Sequence, residues 1–183
     1  MGHYLAFGLN GAREPVVVFA DPGDDGRGAW LFEAKQVEGK FKKRKIDGSP
    51  SMDAGEYVSM AMNKAGQPIV AYRDAESQLR TADTFAEPGV WKVSKGKKKM
   101  PTAESCKEVV IAIDDSDNVL LAYGESDEIW LARSSSGGNW TKNKVASNAD
   151  YASSLQLVPG AGAVVHLAYR DENGALMYVQ TTA

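Results

Sequence analysis

Four acids stand at one recurring position in this 183-residue chain: Asp21, Asp74, Glu125 and Asp171. Each follows an aromatic residue by two positions, the aromatics being Phe19, Tyr72, Tyr123 and Tyr169. Arg73 and Arg170 sit directly before two of the acids. Carboxylates beside guanidinium groups can hold the hydroxyls and charges of a polar ligand such as a sugar or a peptide. These six residues are the ligand-binding candidates. A second role competes with the first, because an acid at a turn accepts backbone N–H bonds and shapes that turn. Recurrence in every copy favours turn shaping, since a binding site usually breaks symmetry.

Other chemistry has less support. The segment Asp21-Pro-Gly-Asp-Asp-Gly-Arg-Gly28 offers three carboxylates, which are calcium-type oxygen ligands. It lacks the spacing and the bidentate Glu of an EF-hand loop. Asp114-Asp-Ser-Asp-Asn118 is also acid-rich and reads as a turn. The histidines are His3 and His166, and His166 is expected half-buried in a strand. No Ser-His-Asp arrangement, metal cluster or glycine-rich phosphate loop can be assembled. No catalytic residue, metal or cofactor is therefore expected. The single cysteine, Cys106, excludes an intrachain disulfide and reads as a small buried hydrophobe.

Composition narrows the partners. Hydrophobic residues make up 43% of the chain, enough for a core, and the net charge is −3. No global field draws the chain to nucleic acid, and none is expected as a partner. The basic clusters Lys40-Phe-Lys-Lys-Arg-Lys45 and Lys95-Gly-Lys-Lys-Lys99 read as a solvated outer strand and a loop. No apolar run reaches the roughly 18 residues of a membrane span. The opening Met1-Gly2-His3-Tyr4 lacks the basic-then-apolar pattern of a signal peptide.

The elements that carry the acids repeat. The four aromatics are 53, 51 and 46 residues apart. Each lies in an apolar run: Pro15-Val-Val-Val-Phe-Ala-Asp21, Pro68-Ile-Val-Ala-Tyr-Arg-Asp74, Val119-Leu-Leu-Ala-Tyr-Gly-Glu125 and Val165-His-Leu-Ala-Tyr-Arg-Asp171. A shorter run precedes each, joined to it by a turn rich in Asn, Asp or Gly. A third run follows, as in Trp30-Leu-Phe-Glu-Ala34. In the first three copies a glycine turn then leads to an aromatic: Phe41, Trp91 and Trp140. These aromatics are expected to pack between units. One unit therefore reads as strands A to D joined by hairpins, four strands per repeat of about 50 residues. The repeats span approximately residues 3–54, 55–105, 106–150 and 151–183 of a single domain.

The phrase Ser59-Met-Ala-Met-Asn-Lys-Ala-Gly-Gln-Pro-Ile-Val-Ala-Tyr-Arg-Asp74 resembles the repeats of bacterial surface and secreted β-propellers. In those an S-L-A-x-D-x-x-G-x-P-x-x-x-Y-Y-D phrase precedes the third strand. The resemblance implies an all-β propeller of four-stranded antiparallel blades. It places ligands on the face carrying the B–C and D–A loops, where the four acids lie. It implies a secreted or cell-surface location. Sialidase-like propellers are the enzymatic rival, and a Tyr nucleophile or carboxylate pair would come from Tyr72, Tyr169, Asp74 and Asp171. Their Ser-x-Asp-x-Gly-x-x-Trp turn is matched only at Gly137 and Trp140.

The fourth copy ends at Ala183 without a strand D. An unpaired blade edge is a template for another strand. The expectation is a non-enzymatic binding or assembly module, completed by another copy or another polypeptide. A lectin-like carbohydrate binder and a glycosidase fragment are the alternatives.

Overall fold

The computed structural model describes residues 4–22, 29–48, 54–94, 105–134, 139–147, 149 and 154–182. These form fifteen strands in four antiparallel sheets. Sheet 1 holds β1 (Leu5–Leu9), β2 (Pro15–Pro22), β3 (Ala29–Val37) and β4 (Lys40–Asp47). Sheet 2 holds β5 (Ala54–Met62), β6 (Pro68–Asp74), β7 (Leu79–Asp83) and β8 (Lys92–Val93). Sheet 3 holds β9 (Cys106–Ile113), β10 (Val119–Glu125), β11 (Glu128–Ser134) and β12 (Trp140–Ser147). Sheet 4 holds three strands, β13 (Gln156–Pro159), β14 (Val164–Arg170) and β15 (Leu176–Thr182). Within each sheet the strands follow chain order, as consecutive hairpins require. There is no helix among the described residues, and so none long and apolar enough to cross a membrane.

One hairpin geometry recurs five times. Asn10, Asn63, Asp74, Asp114 and Asp171 each accept, through the backbone carbonyl, the N–H three residues on. In each case the residue three on has positive φ: Arg13, Gly66, Ser77, Asp117 and Gly174. This is a type I turn closed by a left-handed residue, a common three-residue hairpin. The Asn and Asp side chains act as acceptors. In four of the five turns the side-chain oxygen takes N–H bonds two and four residues ahead. In the fifth, Asn63 takes only the bond four residues ahead. The left-handed position is thus filled by Arg, Ser and Asp as well as Gly, because the side-chain acceptor fixes the loop regardless.

Burial tells which sheets have neighbours. In β6 and β10 nearly every residue is buried, so both faces of sheets 2 and 3 are covered. In β2 and β14 buried and half-buried residues alternate, so one face of sheets 1 and 4 is covered. The sheets pack in series through their first two strands. β1 and β2 meet β5, β5 and β6 meet β9, and β9 and β10 meet β13. Among the described residues no comparable packing joins sheet 4 to sheet 1, so the series is open.

Three apolar clusters fill the junctions. Val18 and Leu31 meet Val70 and Tyr72 between sheets 1 and 2. Ala71 and Leu79 meet Leu121 and Tyr123 between sheets 2 and 3. Ala122 and Ile129 meet Leu167 and Tyr169 between sheets 3 and 4. Polar links reinforce two of them. Arg44 pairs with the buried Glu33 at 2.6 Å and donates to Gly89 O of sheet 2. The Lys64 N–H donates to Asp117 Oδ1 at 3.0 Å.

Two expectations about aromatics divide here. Trp91 and Trp140 pack against the junction clusters. Phe41 does not: it is 57% exposed on the edge strand β4. The residues around it in β4 are exposed lysines and Arg44, which keep that edge in water. His166 is half-buried on β14 but lies outside the apolar core, on the face opposite to that of buried Leu167, where its Nδ1 lies 2.7 Å from Tyr178 Oη.

Candidate functional site

The six recurring acids and arginines do not gather into one cluster among the described residues. Asp21 lies near the end of β2 opposite Trp30 and pairs with Lys43 at 2.8 Å. Asp74 is buried, holds the β6–β7 turn and binds Arg80 of its own sheet. Asp171 holds the β14–β15 turn in the same way. Arg170 is exposed and lies against Gly174 of that turn. Glu125 ends β10 opposite Glu128, where a shorter turn runs through Ser126 at φ 55°. The extra methylene of Glu takes this position out of the Asx-turn pattern. Asp24, Asp25 and the second basic cluster lie outside the described residues.

Arg73 departs from that pattern. It reaches sideways to Glu56 on β5, with its Nε 2.6 Å from Glu56 Oε2. Its guanidinium also lies 5.1 Å from the Tyr57 ring centroid and donates to Cys106 O on β9. Cys106 itself is buried, and burial pushes its thiol up to about 12, far from thiolate reactivity at neutral pH.

Tyr57 marks the edge of a cleft that the recurrence of acids does not reveal. Strand β5 loses register twice, between Ala54 and Glu56 and between Glu56 and Ser59. Tyr57 lies inside this irregular stretch with φ 52°, an uncommon left-handed conformation for an aromatic residue. Bulges re-aim side chains. Here the Tyr57 ring meets Tyr4, with centroids 5.1 Å apart and planes inclined by 38°. Burial, and then the charges of Tyr57 and Glu56, hold the Tyr4 phenol above its ordinary value.

The cleft has a volume of about 410 Å³ and runs across the first strands of sheets 2, 3 and 4. Tyr4 and Tyr57 form one wall, Glu108 to Ile111 of β9 the floor, and Gln156 and Leu157 of β13 the other wall. Ser59 Oγ accepts the Ile111 N–H at 3.1 Å and ties the first wall to the floor. The arrangement joins an aromatic face, a carboxylate and an amide in one concavity. That set can stack on the apolar side of a small ring and hydrogen-bond its polar edge. The sequence signal that could have found it is the Tyr4, Tyr57 and Glu108 set at the starts of three A strands. The recurring aromatics overshadowed it.

Glu108 carries a pH signature. Burial raises its carboxyl above the ordinary carboxylate value, and the N–H groups of Leu155 and Ser154 offset this only in part. The folded state thus holds the proton more tightly than the unfolded chain. Folding stability is expected to fall as pH rises from the ordinary Glu value through the raised one. Glu108→Gln is expected to flatten that slope in thermal melts between pH ~4 and ~7. An unchanged slope in the variant would place the titrating group elsewhere.

No family model matches the chain, and neither does any curated protein. Solved structures do match. The fucose-specific lectin from Aleuria aurantia superposes with a TM-score of 0.65 at 11% identity, over 96% of this chain and 56% of the lectin. That lectin is described as a six-bladed β-propeller with a novel fucose recognition mode. The Trypanosoma rangeli sialidase matches with a TM-score of 0.59 at 8% identity, over 97% of this chain and 35% of the sialidase. The Penicillium chrysogenum α-L-arabinanase, solved with arabinobiose, gives 0.58 at 8% identity, over 98% of this chain and 62% of the arabinanase. The chain thus spans a little over half the length of the lectin it matches. At these identities the likeness is one of fold, and its content is an all-β chain whose four antiparallel sheets are arranged like propeller blades.

Proposed function

We propose that this chain is a non-enzymatic carbohydrate-binding module that holds a glycan in the cleft between Tyr4, Tyr57, Glu108 and Gln156. The observation that carries the reading is the Tyr4–Tyr57 pair, which lines one cleft with Glu108 and Gln156 of neighbouring sheets. The fold it shares with a lectin solved in complex with α-methyl-L-fucoside supports it. Arg73 is a positioning residue in this reading: it holds Glu56 and backs the Tyr57 ring. The recurring Asp74 and Asp171 serve the turns. Action on glycans displayed outside the cell suits such a module.

A glycan array followed by calorimetry tests the reading. Tyr57→Ala is expected to weaken binding by about tenfold, which is the ~1.4 kcal/mol worth of a stacked aromatic. The melting transition should remain, showing that the fold survives. Absence of binding to any glycan at millimolar concentration would sink the proposal.

A glycosidase shares the fold and is the second reading. Glycoside hydrolysis ordinarily uses two carboxylates flanking the bond. The cleft is lined by one, Glu108, while nearby Glu56 is engaged by Arg73. Turnover of a fluorogenic glycoside that is lost in Glu108→Gln would favour that reading over the binding module.

A further inference from the structure

The exposed large apolar residues are not spread evenly. Leu5, Phe7, Leu9, Val37 and Phe41 belong to sheet 1, and Val158, Leu176, Met177 and Tyr178 to sheet 4. Sheet 3 contributes none among the described residues, and the region of sheet 2 only Val90. Scattered apolar residues are ordinary, but Leu5, Phe7 and Leu9 share one face of sheet 1, and Val158, Leu176 and Tyr178 share one face of sheet 4, at the two ends of the series.

The repeat says what fits these faces. At every junction the residue before the recurring aromatic in one sheet lies in the same cluster as the aromatic of the next. Val18 goes with Tyr72, Ala71 with Tyr123, and Ala122 with Tyr169. One member of each kind is left over within the chain: Phe19 on sheet 1 and Ala168 on sheet 4. Leu5 and Phe7 lie on the Phe19 face, Leu5 directly opposite Phe19 and Phe7 opposite Val17. Tyr178 lies opposite Ala168 on the other free face. A detail separates Phe19 from Tyr72. The Tyr72 hydroxyl donates to Asp47 of the preceding sheet, whereas Phe19 has no hydroxyl to satisfy. The face of sheet 1 therefore suits a neighbour without an acid there. Among the described residues the edge strand of sheet 4 is β15, which carries no Asp or Glu.

We propose that copies of this chain associate head to tail, with the Phe19 face of one copy packed on the Ala168 face of the next. The contact continues the large-on-small series of the three internal junctions. It is a heterologous contact, which closes into a ring or extends, depending on the rotation between copies. The inference is independent of glycan binding.

Size exclusion with light scattering on the full chain, from about 1 to about 100 µM, provides the test. A mass that is a multiple of one chain is expected. Phe19→Glu and Ala168→Glu are each expected to weaken association by more than about tenfold with an unchanged circular dichroism spectrum, since neither residue belongs to an internal junction cluster. A mixture of Phe19→Cys and Ala168→Cys chains is expected to form disulfides between positions 19 and 168, because the native Cys106 is fully buried. A single copy at every concentration would overturn the proposal. So would association that survives both charge substitutions, or cross-links that join position 19 to position 19.

Discussion

Asp74→Ala is expected to lower the unfolding free energy by about 3 kcal/mol, the scale of breaking a buried ion pair from one side. Asp74 is 1% exposed. Its Oδ1 accepts the N–H groups of Glu76 and Gln78 at 3.0 and 2.9 Å, and its Oδ2 binds Arg80 Nε. The Arg80 side chain is itself only 16% exposed, so removing the acid strands a partly buried guanidinium as well as two turn donors. Asp171 stands at the same place in the fourth repeat and makes the same two turn bonds. It is less buried, and no ion pair joins it among the described residues. Asp171→Ala is accordingly expected to cost under about 1 kcal/mol. Urea unfolding of both variants checks the contrast. If Asp74→Ala unfolds like the parent chain yet abolishes ligand binding, the acid belongs to a site rather than to its turn.

Leu121→Ala is expected to cost between about 2 and 5 kcal/mol, the usual range for an emptied core site. Leu121 is fully buried on β10, in the cluster that also holds Val109, Tyr123 and Ala71. Those neighbours come from two sheets paired into rigid ladders, so they cannot collapse far into the space. Val17 is the counterpart of Leu121 in the first repeat. Among the described residues no sheet packs against its face, and it is only half-buried. Val17→Ala is expected to cost less than about 1 kcal/mol at concentrations that hold single copies. Equal losses at the two positions would show that the free face of sheet 1 is covered after all. Chemical denaturation at low protein concentration distinguishes these outcomes.

These contrasts mark where a repeated sequence stops predicting. Repeated apolar runs and Asx turns act over a few residues, so they specify strands and hairpins wherever they occur. The strand order within each sheet follows from them. The chain therefore declares its all-β character and its turns by itself. Of the four recurring acids, Asp74 and Asp171 accept the N–H groups of their turns. Arg73, a ligand-binding candidate from its place beside Asp74, takes its contacts from Glu56 on β5 and from Cys106 O on a strand 33 residues away.

The acids at the recurring position looked equivalent in the sequence. The tertiary structure made Asp74 a buried member of an ion pair, Asp21 a surface partner of Lys43 and Glu125 part of a different turn. What differs is the neighbouring sheet, and no local pattern encodes which face will be covered. The cleft is the clearest case. Tyr4, Tyr57, Glu108 and Gln156 share no motif and come from four repeats. The packing of first strand against first strand brings them together, and Tyr57 reaches the cleft from the irregular stretch of β5. Local hydrogen bonding fixed the repeating unit, and burial between units decided what each copy became.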